Sequence, residues 1–313
     1  MNETVLALGS GRARVGILTE ATVSAQPGVV LLNAGLIHRV GPSRVYVRIA
    51  RRLASEGYTT LRFDFGGVGD SGPGDEHLAY EARVLAEARQ ALDTLEIENG
   101  IHEFIVAGHC SGAANAFHLA AADPRVVGVV LINLEGGSNE WADYDREKKQ
   151  SRFYGAYFRD RLRDPASWRR LLSGRANPVN IVRTFWGSQV RDRLRSLLFR
   201  RRQGPVASPA SVPPAMAQAR AEMDRLIARG VKVLFVHSEG GTGLEFVRAT
   251  LGAHLDRAIK TGAARLDILP QSDHIFTVRR SQEQLTDAIS VWVNTHFRPE
   301  AGPDAIPLSE RSR

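Results

Sequence analysis

The sequence is poor in cysteine, since Cys110 is the single one among 313 residues. One cysteine excludes an intramolecular disulfide framework and any zinc or iron–sulfur site that needs several cysteines. No apolar run reaches the ~18 residues of a membrane-spanning helix. The first twenty residues lack the basic and apolar regions of a secretory signal. We therefore expect a cytoplasmic protein without a membrane span.

Composition and charge are ordinary except in one segment. The chain is 43% hydrophobic and 24% charged, as in globular domains, and its formal net charge is +7. Residues 136–228 contain 17 Arg and 2 Lys against 9 Asp or Glu, a net charge of +10, which leaves −3 for the rest. The excess of positive charge therefore belongs to one part of the chain, which points to an acidic partner there.

Apolar runs rich in β-branched residues alternate with helix-like segments. This alternation predicts a parallel sheet with helices on both faces. The sequence predicts an opening pair of strands at Val15–Leu18 and Ala21–Ser24. The other predicted strands are Gly28–Leu32, Thr59–Phe65, Phe104–Ala107, Val126–Asn133, Val231–His237 and Arg265–Leu269, and the predicted helices are Ser43–Glu56, Glu76–Glu96 and Ala113–Ala122.

The domain organisation follows from this pattern. Residues 1–135 and 229–297 are predicted to form the core, and the basic segment 136–228 a helical insertion. Residues 204–214 (GPVASPASVPP) break the insertion, and residues 298–313, rich in Pro, Gly and Ser, are predicted to be a disordered tail.

The motif Gly108-His109-Cys110-Ser111-Gly112 lies between a predicted strand and a predicted helix. A glycine two residues before and two after a reactive side chain is typical of the nucleophile elbow, here with cysteine as nucleophile. A buried structural cysteine in a tight turn is the alternative. Ser111 as the nucleophile is a further alternative, but it lies one residue late for the turn.

The chain resembles the α/β-hydrolase superfamily over most of residues 15–297. Besides the elbow, the resemblance rests on residues 33–36 (NAGL), 63–71 (FDFGGVGDS) and 272–276 (SDHIF). The run from NAGLIHRVGP through LRFDFGGVGDSG to GHCSGA is similar to a bacterial subgroup with cysteine at the elbow, which includes hydrolases of exopolysaccharide gene clusters and carrier-protein aminoacyltransferases of secondary metabolism. The resemblance implies the α/β-hydrolase fold, a mostly parallel central sheet flanked by helices, with the basic insertion as a lid between two late strands.

Cys110 would attack an acyl carbonyl, and His274 is the predicted base because histidine follows the nucleophile in this fold. His109 and His38 are rival bases. The oxyanion hole is expected from the backbone N–H of Ser111 and a second N–H at Ala34, Gly35 or Leu36.

The acid of the triad is the point at which the sequence departs from the family. Relatives place an aspartate about where Gly241 stands. Glu239 is our first prediction for the acid and Glu135, after the preceding strand, is the second; the alternative for each is a solvated surface residue, in which case no acid completes the triad. Asp273 is expected to hold the histidine loop. A cysteine nucleophile tolerates the lack of a well-placed acidic residue better than a serine nucleophile does, because a thiol ionises more readily than an alcohol.

Cysteine also restricts the substrate. Acyl transfer from a thioester to a cysteine is nearly thermoneutral, whereas transfer from an oxygen ester or amide is uphill. We therefore expect a thioesterase or an acyl/aminoacyltransferase acting on carrier-protein- or CoA-bound acyl groups. Lid arginines, of which Arg193, Arg195 and Arg201 are the candidates, would dock an acidic carrier protein or a phosphopantetheine phosphate; a solvated helix face is the alternative.

Two other functions stay open. One is a carboxylic-ester hydrolase on the same fold. The other is a non-catalytic binding protein with a degenerate hydrolase site. No metal and no cofactor are predicted, apart from a substrate linked to phosphopantetheine or CoA. No recognition motif for nucleic acid accompanies the positive charge.

Overall fold

The computed structural model places eight strands in a single sheet. Their order is β1(Asn2–Leu8), β2(Arg14–Glu20), β4(Tyr58–Phe63), β3(Ala25–Leu32), β5(Phe104–His109), β6(Val126–Ile132), β7(Lys232–Ser238), β8(Ala264–Leu269). β1 and β2 pair antiparallel, as do β2 and β4, and the remaining pairs are parallel. The structure describes residues 2–9, 11, 13–22, 25–135, 213–239, 241 and 243–298.

Helices cover both faces of the sheet. Alternate residues of each strand point to opposite faces, so Val29 and Leu31 belong to one core cluster while Val30 and Leu32 belong to the other. The first cluster is covered by α1(Val45–Ser55) and α7(Arg279–Phe297), and the second by α2(Tyr80–Asn99), α3(Ser111–Ala122), α4(Pro214–Ala228), α5(Gly243–Leu251) and α6(Ala253–Lys260). The predicted doubly covered, mostly parallel sheet is confirmed.

The opening of the chain differs from the prediction. The antiparallel pair is β1 with β2, and Ala21 and Thr22 connect β2 to β3 instead of forming a strand. β1 escaped detection because its first four residues are exposed and partly polar, so that no apolar run marks it.

Most of the predicted lid, residues 136–212, lies outside the described residues, as do the tail from 299 onward and the candidate docking arginines Arg193, Arg195 and Arg201. The last part of the predicted lid is α4, whose Met223 and Leu226 are buried in the core cluster beside α3. In the part of the chain that the structure describes, no helix is both long and apolar enough to cross a membrane.

Candidate active site

The elbow joins β5 to α3 through Cys110. This residue has φ 54° and ψ −117° and forms the N-cap position of α3. A positive φ is costly for a residue with a side chain, and such strain is concentrated at functional sites. The turn holds the thiol at the carboxyl end of a central strand, directly before the first helical N–H groups. These groups have no intrahelical partner and favour negative charge in front of them.

Glycine is required on both sides of the turn by close backbone contacts. A Cβ on Gly108 would lie 2.1 Å from the carbonyl oxygen of Gly112. A Cβ on Gly112 would lie 2.4 Å from the carbonyl oxygen of Asn33. The second contact packs the start of α3 against the end of β3, which sets the distance between the elbow and the loop that follows β3.

Replacing Gly108 with alanine is expected to lower the free energy of unfolding by about 2 kcal/mol or more, because the obstructing atoms are backbone and cannot rotate away. Urea denaturation measures this loss. Gly11→Ala is the matched control, since no atom lies within 4 Å of a Cβ at Gly11. Equal stability of the two variants would contradict the steric role of Gly108.

His274 lies in the turn after β8, and two side chains hold its backbone. Its carbonyl oxygen accepts hydrogen bonds from Nε2 of His109 at 2.7 Å and from Nδ2 of Asn133 at 2.8 Å. Asp273 accepts bonds from the N–H and the hydroxyl of Thr277, which lower the pKa of Asp273. Asp273 thus holds the loop, as expected, while the imidazole of His274 is left for the site.

Glu135 is the carboxylate that the structure brings to His274. Its Oε1 lies 3.5 Å from Nδ1 of His274. One ligand atom each from Cys110, Glu135 and His274 lie within 4.8 Å of one another. The predicted nucleophile, the predicted base and a carboxylate thus lie together at the carboxyl edge of the sheet, and these are the residue types of a Cys–His–Glu triad.

A turn after β6 places Glu135. Asn133 has φ 46°, a conformation that asparagine tolerates better than most residues. Its N–H donates to the carbonyl of Val236 at 2.8 Å, and its Oδ1 accepts the N–H of Ser238 at 2.7 Å. These bonds, together with the one to His274, tie the ends of β6 and β7 to the histidine loop.

Glu239, our first prediction for the acid, is directed elsewhere. Its Oε2 accepts the backbone N–H of Gln271 at 2.8 Å, and its side chain is exposed. The carboxylate therefore braces the turn after β8, and the structure favours Glu135 in its place. Gly241, about where the resemblance implies an aspartate, has no side chain to offer.

The rival bases occupy other positions. His109 is 1% exposed, and burial lowers its pKa to about 4, so that it is neutral and donates through Nε2. Its ring meets that of His274 edge to face, with centroids 4.7 Å apart. His109 therefore supports His274. His38 is exposed in the loop after β3.

Asp64 holds the loop that follows β3. It is fully buried and pairs with the guanidinium of Arg39, which also binds Asp70. Asp64 Oδ1 accepts Nδ2 of Asn33 at 3.1 Å, and the side chain of Asn33 in turn accepts the N–H of Phe65 at 3.0 Å. The FDFGGVGDS segment therefore buttresses the expected oxyanion loop.

The residues expected at the oxyanion hole are brought together in part. The N–H of Gly35 donates to Oγ of Ser111 at 2.8 Å, so the loop touches the elbow. Gly35 has φ 54°, which suits glycine. Leu36 is 90% exposed in the turn closed by the bond from the Ile37 N–H to the Ala34 carbonyl.

Two residues of the site escaped the sequence analysis. Asn133 was assigned only to the end of a strand, although an asparagine directly after an apolar strand is a signal for a turn with positive φ. The hydroxyl of Tyr46, which is fully buried, donates to the carbonyl of Leu32 and accepts the N–H of His109, both at 2.8 Å. From the sequence, the position of Tyr46 on the apolar face of α1 indicates only that it packs in the core, and not that its hydroxyl joins β3 to the elbow.

The chemistry available at the site is acyl transfer or metal binding. Thiolate, imidazole and carboxylate are all ligands of zinc. They are equally the three residue types of a nucleophilic triad. The absence of a metal stays a prediction.

Comparisons with known proteins bear on the fold. A family model described as serine aminopeptidase, S33, matches residues 25–134. A comparison with curated proteins gave no significant match. Among solved structures, the chain is similar to XC6422 from Xanthomonas campestris, described as an a/b serine hydrolase without lid, at 14% identity and a TM-score of 0.50, covering 96% of each chain.

The chain is also similar to Est1E from Butyrivibrio proteoclasticus, at 13% identity and a TM-score of 0.51, covering 94% of this chain and 98% of that one. A dienelactone hydrolase from Anabaena variabilis matches at 15% identity and a TM-score of 0.50, covering 95% and 99%. Together with the strand order and the elbow, these likenesses identify the fold as that of the α/β hydrolases.

Proposed function

We propose that the protein is an acyl-transfer enzyme in which Cys110 carries the acyl group as a thioester. The observation that supports this most directly is the convergence of Cys110, His274 and Glu135 within 4.8 Å. The positive φ of Cys110 and its place before α3 add to it, because both are features of a nucleophile elbow.

The proposed reaction has two halves. His274 takes the proton of the thiol, and the sulfur attacks the acyl carbonyl, whose π electron pair moves to its oxygen. When the tetrahedral intermediate collapses, the bond to the leaving group breaks and the leaving group takes the proton from His274. Water or an acceptor then attacks the Cys110 thioester in the same way and regenerates the thiol.

Each neighbour of the triad has a role in this scheme. Glu135 near Nδ1 stabilises the imidazolium and leaves Nε2 for the proton in transit. The backbone N–H of Ser111, at the start of α3, faces the developing oxyanion. Asn133 and His109 hold the backbone of His274 and so fix the direction of its ring.

A thioester donor, linked to CoA or to the phosphopantetheine of a carrier protein, is the proposed substrate class. Exchange of one thioester for another on Cys110 is nearly thermoneutral, so the enzyme need not offset an uphill first step. The net charge of +10 in residues 136–228 suits an acidic carrier protein or a phosphate. Arg193, Arg195 and Arg201 are the proposed docking residues.

Carboxylic-ester hydrolysis is the second candidate. The side chains of His274 and Glu135 are 36% and 26% exposed, so water reaches the site, and the same triad hydrolyses an acyl-enzyme if water is the acceptor. Relatives in fold include Est1E and a dienelactone hydrolase. Oxygen esters would then be turned over, and no thioester donor would be needed.

Mass spectrometry of the intact protein after mixing with acyl-CoA or acylated carrier protein tests the proposal. The wild type is expected to gain the mass of the acyl group, to lose it to hydroxylamine and to react faster with the carrier at low salt. Cys110→Ala should gain nothing. Turnover of p-nitrophenyl esters without any thioester-derived adduct would favour the second candidate, and neither reaction would indicate a non-catalytic binding protein.

A further inference from the structure

The hydroxyl of Ser111 contacts the loop after β3, which is expected to supply the second oxyanion donor. Ser111 is the first residue of α3, next to Cys110, and its Oγ accepts the N–H of Gly35 at 2.8 Å. The amide expected to serve as the second oxyanion donor is therefore already bonded to a side chain.

A hydroxyl that accepts a hydrogen bond keeps its own proton to donate. Serine has one O–H donor and two acceptor sites. The bond from Gly35 uses an acceptor site and polarises the hydroxyl, which makes it a stronger donor, because hydrogen bonds in a chain reinforce one another. The hydroxyl and the first backbone N–H of α3 both belong to Ser111, the residue that follows Cys110.

We infer that the Ser111 hydroxyl, polarised by the Gly35 amide, donates the second hydrogen bond to the oxyanion formed when Cys110 is acylated. The oxyanion hole then consists of the N–H and the O–H of one residue, with Gly35 behind the hydroxyl. This inference rests on the proposed function. It differs from the sequence expectation, in which the Gly35 or Leu36 amide contacts the oxyanion directly.

A competing arrangement predicts the opposite change in the acylation rate when the Ser111 hydroxyl is removed. If the hydroxyl rotates away during the reaction and releases the Gly35 amide to the oxyanion, removing the hydroxyl frees that amide from the start. A variant without the hydroxyl would then react as fast as the wild type or faster. The two arrangements are therefore separated by the direction of the change.

Two reactions of the same thiol provide the test. Acylation of Cys110 by an acyl-CoA passes through an oxyanion, whereas alkylation by iodoacetamide displaces iodide and forms none. In Ser111→Ala we expect the acylation rate to fall about tenfold or more, since losing one such donor costs up to ~10³-fold. Mass spectrometry of quenched samples measures this rate. Alkylation should keep its rate, and Ser111→Thr should retain most of the acylation rate.

Controls keep the outcomes distinct. Ser55→Ala, which removes an exposed serine hydroxyl at the end of α1, should leave both rates unchanged. If Ser111→Ala fails to fold, as judged by circular dichroism, Ser111→Gly takes its place.

Acylation of the variant at the wild-type rate or faster overturns the inference, and so does an equal slowing of acylation and alkylation. A wild type that alkylates but never acylates contradicts the proposed function instead.

Discussion

Replacing His274 with alanine is expected to slow the acylation of Cys110 at pH 7 by about a thousandfold or more, as removal of the base does in other triads. His274 stands with Cys110 and Glu135 in one cluster and is the proposed acceptor of the thiol proton. Without it, attack depends on the few per cent of an ordinary thiol that is ionised at neutral pH, and the leaving group has no proton donor.

The pH profile of the same variant is a second readout. The loss relative to the wild type should shrink as the pH rises past ~8.5, where a free thiol ionises without help. Acylation rates of both proteins, measured on quenched samples between pH 6 and 10, give this loss at each pH. His38→Ala, at an exposed histidine of the loop after β3, is the control. A larger loss in this control than in His274→Ala would reverse the assignment of the base.

Replacing Glu135 with glutamine is expected to lower kcat/KM about a hundredfold, less than an equivalent change costs a serine triad because the thiol needs less assistance. The amide keeps the shape of the side chain but removes the charge 3.5 Å from Nδ1 of His274. The imidazolium that forms in the reaction is then no longer stabilised. Steady-state kinetics with an acyl-CoA donor measures the change.

Glu239→Gln is the matched control for this effect. Glu239 accepts the N–H of Gln271, and a glutamine oxygen can accept the same bond, so activity within about twofold of the wild type is expected. The reverse result, with Glu239→Gln inactive and Glu135→Gln active, would restore Glu239 as the acid.

The elbow was the part of the site most visible in the sequence. Gly108 and Gly112 mark the elbow because backbone atoms leave no space for a Cβ at either position. The apolar strand before them and the helix of small residues after them are local patterns, which the sequence shows directly. His274 was identified from its place after the last strand. The predicted strands in the middle of the chain agree with β3 to β8, because continuous apolar runs mark buried parallel strands.

Features that depend on the direction of side chains could not be predicted. Glu135 and Glu239 each lie close after the end of a predicted strand. The distance from the strand therefore could not show which of the two carboxylates faces His274. The turn at Asn133 directs one toward His274, and the bond to Gln271 directs the other away. Likewise, the contact of Ser111 with Gly35 joins residues 76 apart in the chain, which no local pattern reports.

The order of the triad along the chain has a consequence for biosynthesis. Cys110 and Glu135 follow two neighbouring parallel strands, β5 and β6, whereas His274 follows β8 and is made much later. At a ribosomal rate of about 5–20 residues per second, Cys110 and Glu135 exist for roughly 7–30 seconds before the histidine is added. During that time a nascent chain carries the thiol and the carboxylate without the proposed base. On the proposed mechanism, Cys110 therefore has no base to activate it until the C-terminal part of the chain has been made.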